Sequence, residues 1–271
     1  MRITCLVDNC ALDGFGSEHG LSFWVEACGK KLLFDSGESG LFLENAARLG
    51  IDVAEADFAV VSHGHYDHGG GLTAFFAANP DAKAYVRAGA FAPRYARRRS
   101  GNTEYIGLDA SLAGSGRVVE TGETCALAPG LTLFSGVRGR ELFSGANRLL
   151  LGPDGETPDD FAHEQHLLIR EGERRVLIAG CSHCGIVNIL SRLSELEPEP
   201  PDAVIGGFHL AVPGTGDVDE ALVDGVAERL LALSGTMYYT GHCTGLPSYE
   251  RLAARMGPRV AYLHAGETVE I

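Results

Sequence analysis

Residues 62–71 read SHGHYDHGGG, and they directly follow the apolar run FAVV at 58–61. A strand that ends in His-x-His directs two imidazoles to the same side, because side chains i and i+2 share a face. The turn that follows can bring an Asp and another His toward a second position. The stretch therefore predicts a site for two metal ions at the end of a strand. Its candidate ligands are His63, His65, Asp67 and His68.

The composition is that of a globular chain with a sizeable core. The chain has 271 residues, and 45% of them are apolar. We expect a single domain over residues 1–271. No window approaches the roughly 20 apolar residues of a membrane span, and residues 1–8 (MRITCLVD) lack the apolar core of a signal peptide. We therefore expect a cytoplasmic protein without a membrane partner, whose seven cysteines are reduced.

The charge of the chain argues against nucleic acid as a partner. The formal net charge is -14, and no broad basic face is evident. The local exception is the run RYARRR at 94–99. This run has two interpretations, a solvated helix end or a clamp on a small anionic substrate. Arg97 is the candidate substrate contact within it.

Hydrophobic periodicity predicts strands and helices along the whole chain. The irregular segment at about 88–116 is predicted to be an insertion near the mouth of the site, and 136–160 is predicted to be a loop. The predicted helices cover 40–50, 72–79, 186–196 and 218–233. The predicted strands cover 2–8, 20–27, 31–35, 58–61, 82–86, 118–121, 131–135, 166–170, 174–179, 202–205 and 236–240.

Three successive predicted strands of the second half end in a histidine flanked by glycine. They are followed by GCSHCG (180–185), GGFH (206–209) and GHCTG (241–245). Chemistry in layered α/β proteins collects at strand ends, where loops from distant positions converge. Since histidine is the commonest zinc ligand, we expect at least two of His183, His209 and His242 to face the metals.

The cysteines beside these histidines have a different interpretation. Cys181 and Cys184 form a lone C-x-x-C, without the second pair of a zinc ribbon and without the βαβ context of a thioredoxin. We expect Cys181 to pack behind the site. Cys243 is expected to be a small buried apolar residue.

Together, these motifs resemble the metallo-β-lactamase superfamily. LFDSG (33–37) is similar to its Asp-Thr/Ser-Gly turn. The resemblance implies an α/β (α+β) fold, a four-layer αββα sandwich with the metals at one edge. Within that superfamily the chain resembles, over nearly its whole length, the 7,8-dihydropterin-6-yl-methyl-4-(β-D-ribofuranosyl)aminobenzene-5′-phosphate synthase subfamily. The motifs that carry this are DN (8–9), EHGLS (18–22), HEQ (163–165), GCSHCGIVNIL (180–190), GGFHL (206–210) and GHCTG (241–245).

The resemblance implies two groups of metal ligands. The first is His63, His65 and His183, and the second is Asp67, His68 and His242. We expect two divalent ions, zinc first, although an imidazole-rich site with a carboxylate also suits manganese and iron. The chain departs from the superfamily at 206–209, where many relatives carry a bridging Asp and this sequence has no carboxylate. Either His209 ligates in its place, or the second metal is held more weakly and His209 faces the substrate.

Two cations that share one oxygen lower the pKa of bound water and polarise a phosphoryl or carbonyl oxygen. We therefore expect hydrolysis, or displacement of a phosphate-bearing group, on a small anionic substrate. The catalytic candidates are Asp67, which would orient the nucleophile, and His209 and His19, which could protonate a leaving group. The candidate substrate-binding residues are Asn9, His163, Ser182 and Arg97.

Three hypotheses for the function remain open at this point. The first is a metal-dependent enzyme acting on a small phosphate ester or diphosphate. It would be either a hydrolase or the synthase that the subfamily name implies, which joins a dihydropterin diphosphate to a ribosylated aminobenzene phosphate. The second is a nuclease, against which the acidity of the chain counts. The third is a metal-binding sensor without turnover, against which the intact ligand set counts. The oligomeric state has no signal in the sequence.

Overall fold

The computed structural model describes residues 1–98, 100–211 and 216–271. The strands of this part, in chain order, are β1 (Arg2–Val7), β2 (Ser22–Ala27), β3 (Lys30–Phe34), β4 (Phe58–Val61), β5 (Lys83–Arg87), β6 (Tyr95–Arg97), β7 (Thr103–Tyr105), β8 (Val118–Thr121), β9 (Thr124–Ala128), β10 (Leu131–Phe134), β11 (Leu150–Leu151), β12 (His166–Glu171), β13 (Arg174–Ile178), β14 (Ala203–Ile205), β15 (Met237–Thr240), β16 (Val260–Tyr262) and β17 (Thr268–Glu270).

The α-helices of the described ranges lie between these strands. They are α1 (Leu41–Arg48), α2 (Tyr66–Gly69), α3 (Leu72–Ala78), α4 (Ile186–Leu196), α5 (Glu220–Leu231) and α6 (Leu246–Met256). Among the residues described, no helix combines the length and the apolar character needed to cross a membrane.

Two seven-stranded sheets form the centre of the described structure. The first has the order β17-β1-β2-β3-β4-β5-β8, and the second has the order β16-β15-β14-β13-β12-β10-β9. Strands β3, β4, β5 and β8 run parallel to one another, and so do β13, β14, β15 and β16. The carboxyl ends of neighbouring parallel strands therefore lie at a common edge within each sheet, which is where loops can gather functional side chains.

The alternation of side chains along the strands produces four layers. On β3, Phe34 faces the apolar core between the two sheets, whereas Leu33 joins an outer core with Phe42 of α1. On β13, Ile178 faces the inner core and Leu177 packs into the outer core formed with α4, α5 and α6. Successive strand residues point to opposite faces, so each sheet buries one face on the other sheet and one on helices. The prediction of an αββα sandwich is confirmed.

Most of the long elements agree with their predicted positions. Helix α4 has the predicted bounds, and α1 and α5 are slightly shorter than the predicted 40–50 and 218–233. The segment 88–116, predicted to be irregular, contains β6 and β7, which form a three-stranded sheet with β11. Strands β9, β11, β16 and β17 and helix α6 were not predicted, and β11 lies in the segment 136–160 that was predicted to be a loop.

The arginine-rich run at 94–98 is not a helix end, because β6 lies within it. Arg94 is buried, and its Nε lies 2.8 Å from Asp159 Oδ2. Arg97 is exposed on β6, and Arg99 lies outside the described residues. The wider segment 88–116 also contacts the loop that carries His63, His65 and His68, which we call the histidine loop. The backbone N–H of Tyr66 in this loop donates to the carbonyl of Ile106 at 2.9 Å.

Candidate metal centre

The candidate ligands lie at the ends of parallel strands from both sheets. The histidine loop follows β4 of the first sheet, while the loops that carry His183, His209 and His242 follow β13, β14 and β15 of the second. These three strands are immediate neighbours in the second sheet. The repeated strand-end histidines in the sequence therefore meet at one place in the fold.

The first group of ring nitrogens converges within bonding range of one ion. His63 Nε2 lies 3.0 Å from His65 Nδ1 and 3.2 Å from His183 Nε2. Two nitrogens on one tetrahedral zinc ion lie roughly 3.3 Å apart, given zinc–nitrogen distances of about 2.0–2.1 Å. The three rings are buried. We call this group the first triad.

Electrostatics favour neutral rings in the first triad. Burial, followed by the charges of neighbouring imidazoles, holds the pKa of His63 and of His183 well below the usual histidine value. Burial lowers the pKa of His65 to about 3, again with a contribution from a neighbouring histidine. A neutral imidazole is the form that ligates a metal, so these rings are in the state that binding requires.

The second group combines a carboxylate with two imidazoles. His68 Nε2 lies 3.2 Å from His242 Nε2, and Asp67 Oδ2 lies 3.3 Å from the same His242 nitrogen and 3.7 Å from His68 Nε2. We call this group the second triad. Burial would raise the pKa of Asp67, but His68, His19 and His242 outweigh it and hold that pKa well below its usual range. The carboxylate of Asp67 is therefore ionised, and its Oδ2 lies beside two ring nitrogens as a possible ligand atom.

The carboxylate of Asp67 raises the pKa of His242. Burial would lower the pKa of His242, but the hydrogen bond that its ring donates to Asp67 and the nearby negative charges raise this pKa to about 9. A cation bound between the two groups would take the place of the shared proton. The same contact that stabilises a protonated ring would thus stabilise a bound metal.

Four of these rings are oriented by a partner on the nitrogen that points away from the centre. Metal-ligating histidines usually have such a partner, which fixes the tautomer and the ring plane. Asp35, Asn147 and Asn9 offer oxygen atoms, which accept, so the bonded Nδ1 carries a proton and Nε2 is the ring nitrogen directed at the triad. The contacts are Ser62 Oγ to His63 Nδ1 at 2.9 Å, Asp35 Oδ2 to His68 Nδ1 at 2.7 Å, Asn147 Oδ1 to His183 Nδ1 at 3.0 Å and Asn9 Oδ1 to His242 Nδ1 at 2.9 Å.

Buried carboxylates fix the backbone of the loops as well. Asp35 accepts the N–H of Ser62 at 2.7 Å, Glu164 accepts the N–H of His183 at 2.7 Å, and Asp8 accepts the N–H of His242 at 2.6 Å. All three hydrogen bonds are buried, where an unsatisfied N–H would cost about 1–3 kcal/mol. The ligand loops are therefore held in place before any ion binds.

The backbone at the centre adopts conformations that side chains usually avoid. Asp35, Ser182, His209 and His242 have φ angles of 58°, 58°, 50° and 47°. Left-handed backbone at non-glycine residues costs about 1–3 kcal/mol each and clusters at functional sites. Position 180 has a steric requirement for glycine, because a Cβ there would collide with Ser62 Oγ. These backbone conformations are unfavourable in free energy, and they determine the directions of the side chains at the centre.

His209 and Ser182 lie beside the first triad with unpartnered polar atoms. The ring of His209 lies 4.3 Å from that of His183 between centroids, and neither of its buried ring nitrogens has a hydrogen-bond partner within the described residues. The buried Oγ of Ser182 also has none among those residues. Both side chains are therefore free to contact a substrate.

His19 occupies the solvent side of the second triad. Its Nε2 lies 3.3 Å from Asp67 Oδ2, and 55% of its side chain is exposed. It is the predicted catalytic residue with the readiest access to an incoming molecule.

The other three candidate substrate-binding residues stay predictions, and their positions differ. His163 is buried, with its Nδ1 accepting the N–H of Gly64 at 2.9 Å and its Nε2 3.0 Å from Asp159 Oδ2. Asn9 is exposed and its Oδ1 orients the His242 ring, and Arg97 is exposed on β6. Sequence reasoning missed Asn147, because it lies in a short 3-10 helix (Gly145–Leu149) with no motif to single it out.

The donor set as a whole fits divalent metal ions. It offers five imidazole nitrogens and one carboxylate oxygen in two groups, each with the spacing of ligands around a single ion. The two groups adjoin, since the ring centroids of His63 and His68 lie 4.2 Å apart. A pair of neighbouring ions is therefore compatible with the site.

Known proteins are similar to this chain in sequence and in fold. The family model of the metallo-beta-lactamase superfamily matches residues 16–242. An uncharacterized protein of Methanocaldococcus jannaschii is 29% identical over 283 residues, covering 99% of this chain and 100% of the relative. The 7,8-dihydropterin-6-methyl-4-(beta-D-ribofuranosyl)-aminobenzene-5'-phosphate synthase of the same organism is 27% identical, covering 94% of this chain and 91% of the relative.

A solved structure agrees with these matches. The crystal structure of a metal-dependent hydrolase of the beta-lactamase superfamily superimposes with a TM-score of 0.83 at 29% identity, covering 100% of this chain and 99% of the other. The match of the family model and the similarity of fold agree with the resemblance found in the sequence. The chain belongs to the metallo-beta-lactamase superfamily and has the fold of a metal-dependent enzyme.

Proposed function

We propose that the chain binds two divalent ions and acts on a small substrate that carries a phosphate or diphosphate. The first triad, His63, His65 and His183, would hold one ion. The second, Asp67, His68 and His242, would hold the other. The observation that carries this proposal is the convergence of six ligand atoms into two adjoining groups, with four rings oriented from behind.

Two divalent cations held there would supply Lewis acidity, which polarises a phosphoryl oxygen and activates water as a nucleophile. The protein contributes the orientation of the reacting groups. Asp67 is ionised and ordered by contacts with His19 and His242, so it can accept a hydrogen bond from a nucleophile and fix its direction. His19, half exposed beside Asp67, is placed to donate a proton to a departing group.

The substrate would be recognised at the buried atoms that have no protein partner. Ser182 Oγ can donate one hydrogen bond to a phosphoryl oxygen, and a ring nitrogen of His209 can donate another. An unmade hydrogen bond at a buried polar atom costs about 1–3 kcal/mol, so a bound oxygen that satisfies these atoms gains affinity. This supports an oxygen-rich, anionic group next to the first triad.

The first candidate reaction is the one in the name of the 27% identical relative. The test is a mass-spectrometric product analysis of metal-loaded protein given hydroxymethyl-dihydropterin diphosphate and ribofuranosylaminobenzene 5′-phosphate. A coupled product that disappears in Asp67→Ala supports the synthase. Absence of that product from wild-type protein with a full metal complement contradicts it.

The second candidate is a metal-dependent hydrolase of a small phosphoester or diphosphate. The observation in its favour is the similarity, with a TM-score of 0.83, to a structure described as a metal-dependent hydrolase. In the same experiment, release of inorganic phosphate or diphosphate without coupling, again dependent on Asp67, selects hydrolysis. The two candidates share one centre and differ in whether water or an organic acceptor is the nucleophile.

A further inference from the structure

The thiol of Cys181 lies between the two triads. Cys181 is two residues before His183 in the loop after β13, and it is 3% exposed. Its Sγ is 3.1 Å from His68 Nε2 in the second triad. It also forms one close group with His63 and His183 and another with His68 and His242, with all ligand atoms of each group within 4.8 Å of one another. One sulfur thus reaches ligands of both proposed ions.

The neighbouring candidates for that position lack this reach. His209 groups with Cys181 and Cys243, and in the described residues no such group contains His209 together with two ligands of one triad. The segment 206–209 contains no carboxylate either. Of the two alternatives for His209, the geometry favours the one in which it faces the substrate. The position between the two proposed ions is then available to the Cys181 sulfur.

The chemistry of the thiol suits this position. Thiolate sulfur binds zinc at about 2.3 Å, so a sulfur and an imidazole nitrogen on one tetrahedral ion lie roughly 3.6 Å apart. The observed distance of 3.1 Å between Cys181 Sγ and His68 Nε2 is about half an ångström shorter than this. A small side-chain rotation would supply the difference. A metal on His68 Nε2 also takes the lone pair that a neutral thiol would otherwise use as its hydrogen-bond acceptor.

We propose that Cys181 is a seventh metal ligand whose thiolate spans both triads, in the place of the carboxylate missing from 206–209. On binding, the sulfur–hydrogen bond breaks, the proton passes to solvent, and sulfur–metal bonds form with the electron pair left behind. No electron is transferred and no other reactant is needed. This inference rests on the proposed two-metal centre, and its test must separate the two claims.

The test is cobalt(II) binding followed by absorption spectroscopy, because a thiolate ligand produces a charge-transfer band in the near ultraviolet that nitrogen and oxygen ligands do not. Wild-type protein should bind two cobalt ions per chain and show the band. Cys181→Ser should lose the band and bind one ion at least about tenfold more weakly. Cys181→Asp should restore tight binding of two ions without the band, and it also serves if the serine variant folds poorly.

Two matched cysteines provide the controls. Cys184 is buried in the same loop, but its Sγ lies 3.9 Å from the carbonyl of Phe161, away from the triads. Cys243 reaches only Cys181 and His209 among the metal-type groups of the described chain. The band should survive in Cys184→Ser and Cys243→Ser.

The remaining outcomes overturn one claim or both. Two bound ions with no band in wild-type protein, or a band that persists in Cys181→Ser, overturns the assignment of Cys181 and leaves the proposed function standing. Failure of folded wild-type protein to bind cobalt overturns both.

Discussion

The Oδ2 atom of Asp35 lies 2.7 Å from Nδ1 of His68, and both side chains are completely buried. Asp35 also accepts hydrogen bonds from the backbone and the hydroxyl of Ser62, next to His63. One carboxylate at the end of β3 therefore orients a ligand of the second triad and the loop that carries the first. The turn that contains Asp35 supports the centre without belonging to either triad.

Asp35→Asn should weaken metal binding without removing a ligand. The amide cannot accept as strongly from His68 Nδ1, so the ring loses part of its orientation and basicity, and we expect a loss of about 10–100-fold in metal affinity. Competition titration against a chelator measures it. Asp52→Asn, at the exposed start of a short 3-10 turn, is the control and should match wild type. Unchanged affinity in Asp35→Asn would show that the contact does not tune the site.

Replacement of a direct ligand should have a larger effect than replacement of a nearby cysteine. Asp67→Ala and His183→Ala should each abolish activity and lower the metal content, because each opens one triad. Cys184→Ala should be tolerated, since burial keeps this thiol protonated by raising its pKa and its Sγ points to Phe161. Metal analysis and an activity assay on all three variants provide the comparison. Equal losses in all three would mean that Cys184 has been misassigned.

His19→Gln should separate proton transfer from metal binding. The half-exposed His19 forms a close group with Asp67 and His242, but His68 would complete the second triad without it, so metal content should not change. Loss of a general acid lowers turnover by about 10²–10⁴-fold. The measurement is kcat with substrates whose leaving groups differ in basicity, since a good leaving group needs less protonation and should lose less. A uniform loss across leaving groups would assign His19 to binding instead.

Asp159 should give the protein an acid-sensitive contact. Burial would raise its pKa, but the hydrogen bond and charge of His163, together with Arg94, lower it from 3.8 to about 2. A depressed pKa stabilises the folded state above the unfolded value, and the contribution disappears as pH falls through the folded value. At roughly 1.4 kcal/mol per pKa unit, it is worth about 2 kcal/mol.

Chemical unfolding of wild type and Asp159→Asn across pH measures this contribution. The stability difference should be constant above about pH 5 and should shrink between about pH 4 and pH 2 as the wild-type carboxylate becomes protonated. Asp13→Asn, at an exposed turn, is the control and should track wild type across the same pH range. A difference that does not vary with pH would mean that Asp159 acts by packing rather than by charge.

The sequence predicted the centre because the ligands come from short motifs at strand ends. The spacing of His63 and His65 predicts them on one face of the chain, and the repeated strand-end histidines indicated that at least two of His183, His209 and His242 would join them. The resemblance to the superfamily implied which two, and it also implied the fold class. These are local patterns, and parallel strands carry them to a common edge.

What the sequence did not reveal depends on contacts between distant segments. Asn147 is 36 residues from His183, whose ring it orients, and no motif marks it. Asn9 orients the ring of His242, and His163 accepts the N–H of Gly64. The sequence did not predict these contacts, because spacing does not determine where a side chain points. The position of the Cys181 sulfur between the triads depends likewise on the packing of both sheets.

The most direct test of the two-metal account is the number of divalent ions bound per folded chain, measured by native mass spectrometry after zinc loading and removal of excess metal. The account predicts two ions in wild-type protein and a loss of ions in His183→Ala. Wild-type protein that retains fewer than two ions, or a His183→Ala variant that retains the full complement, would contradict it.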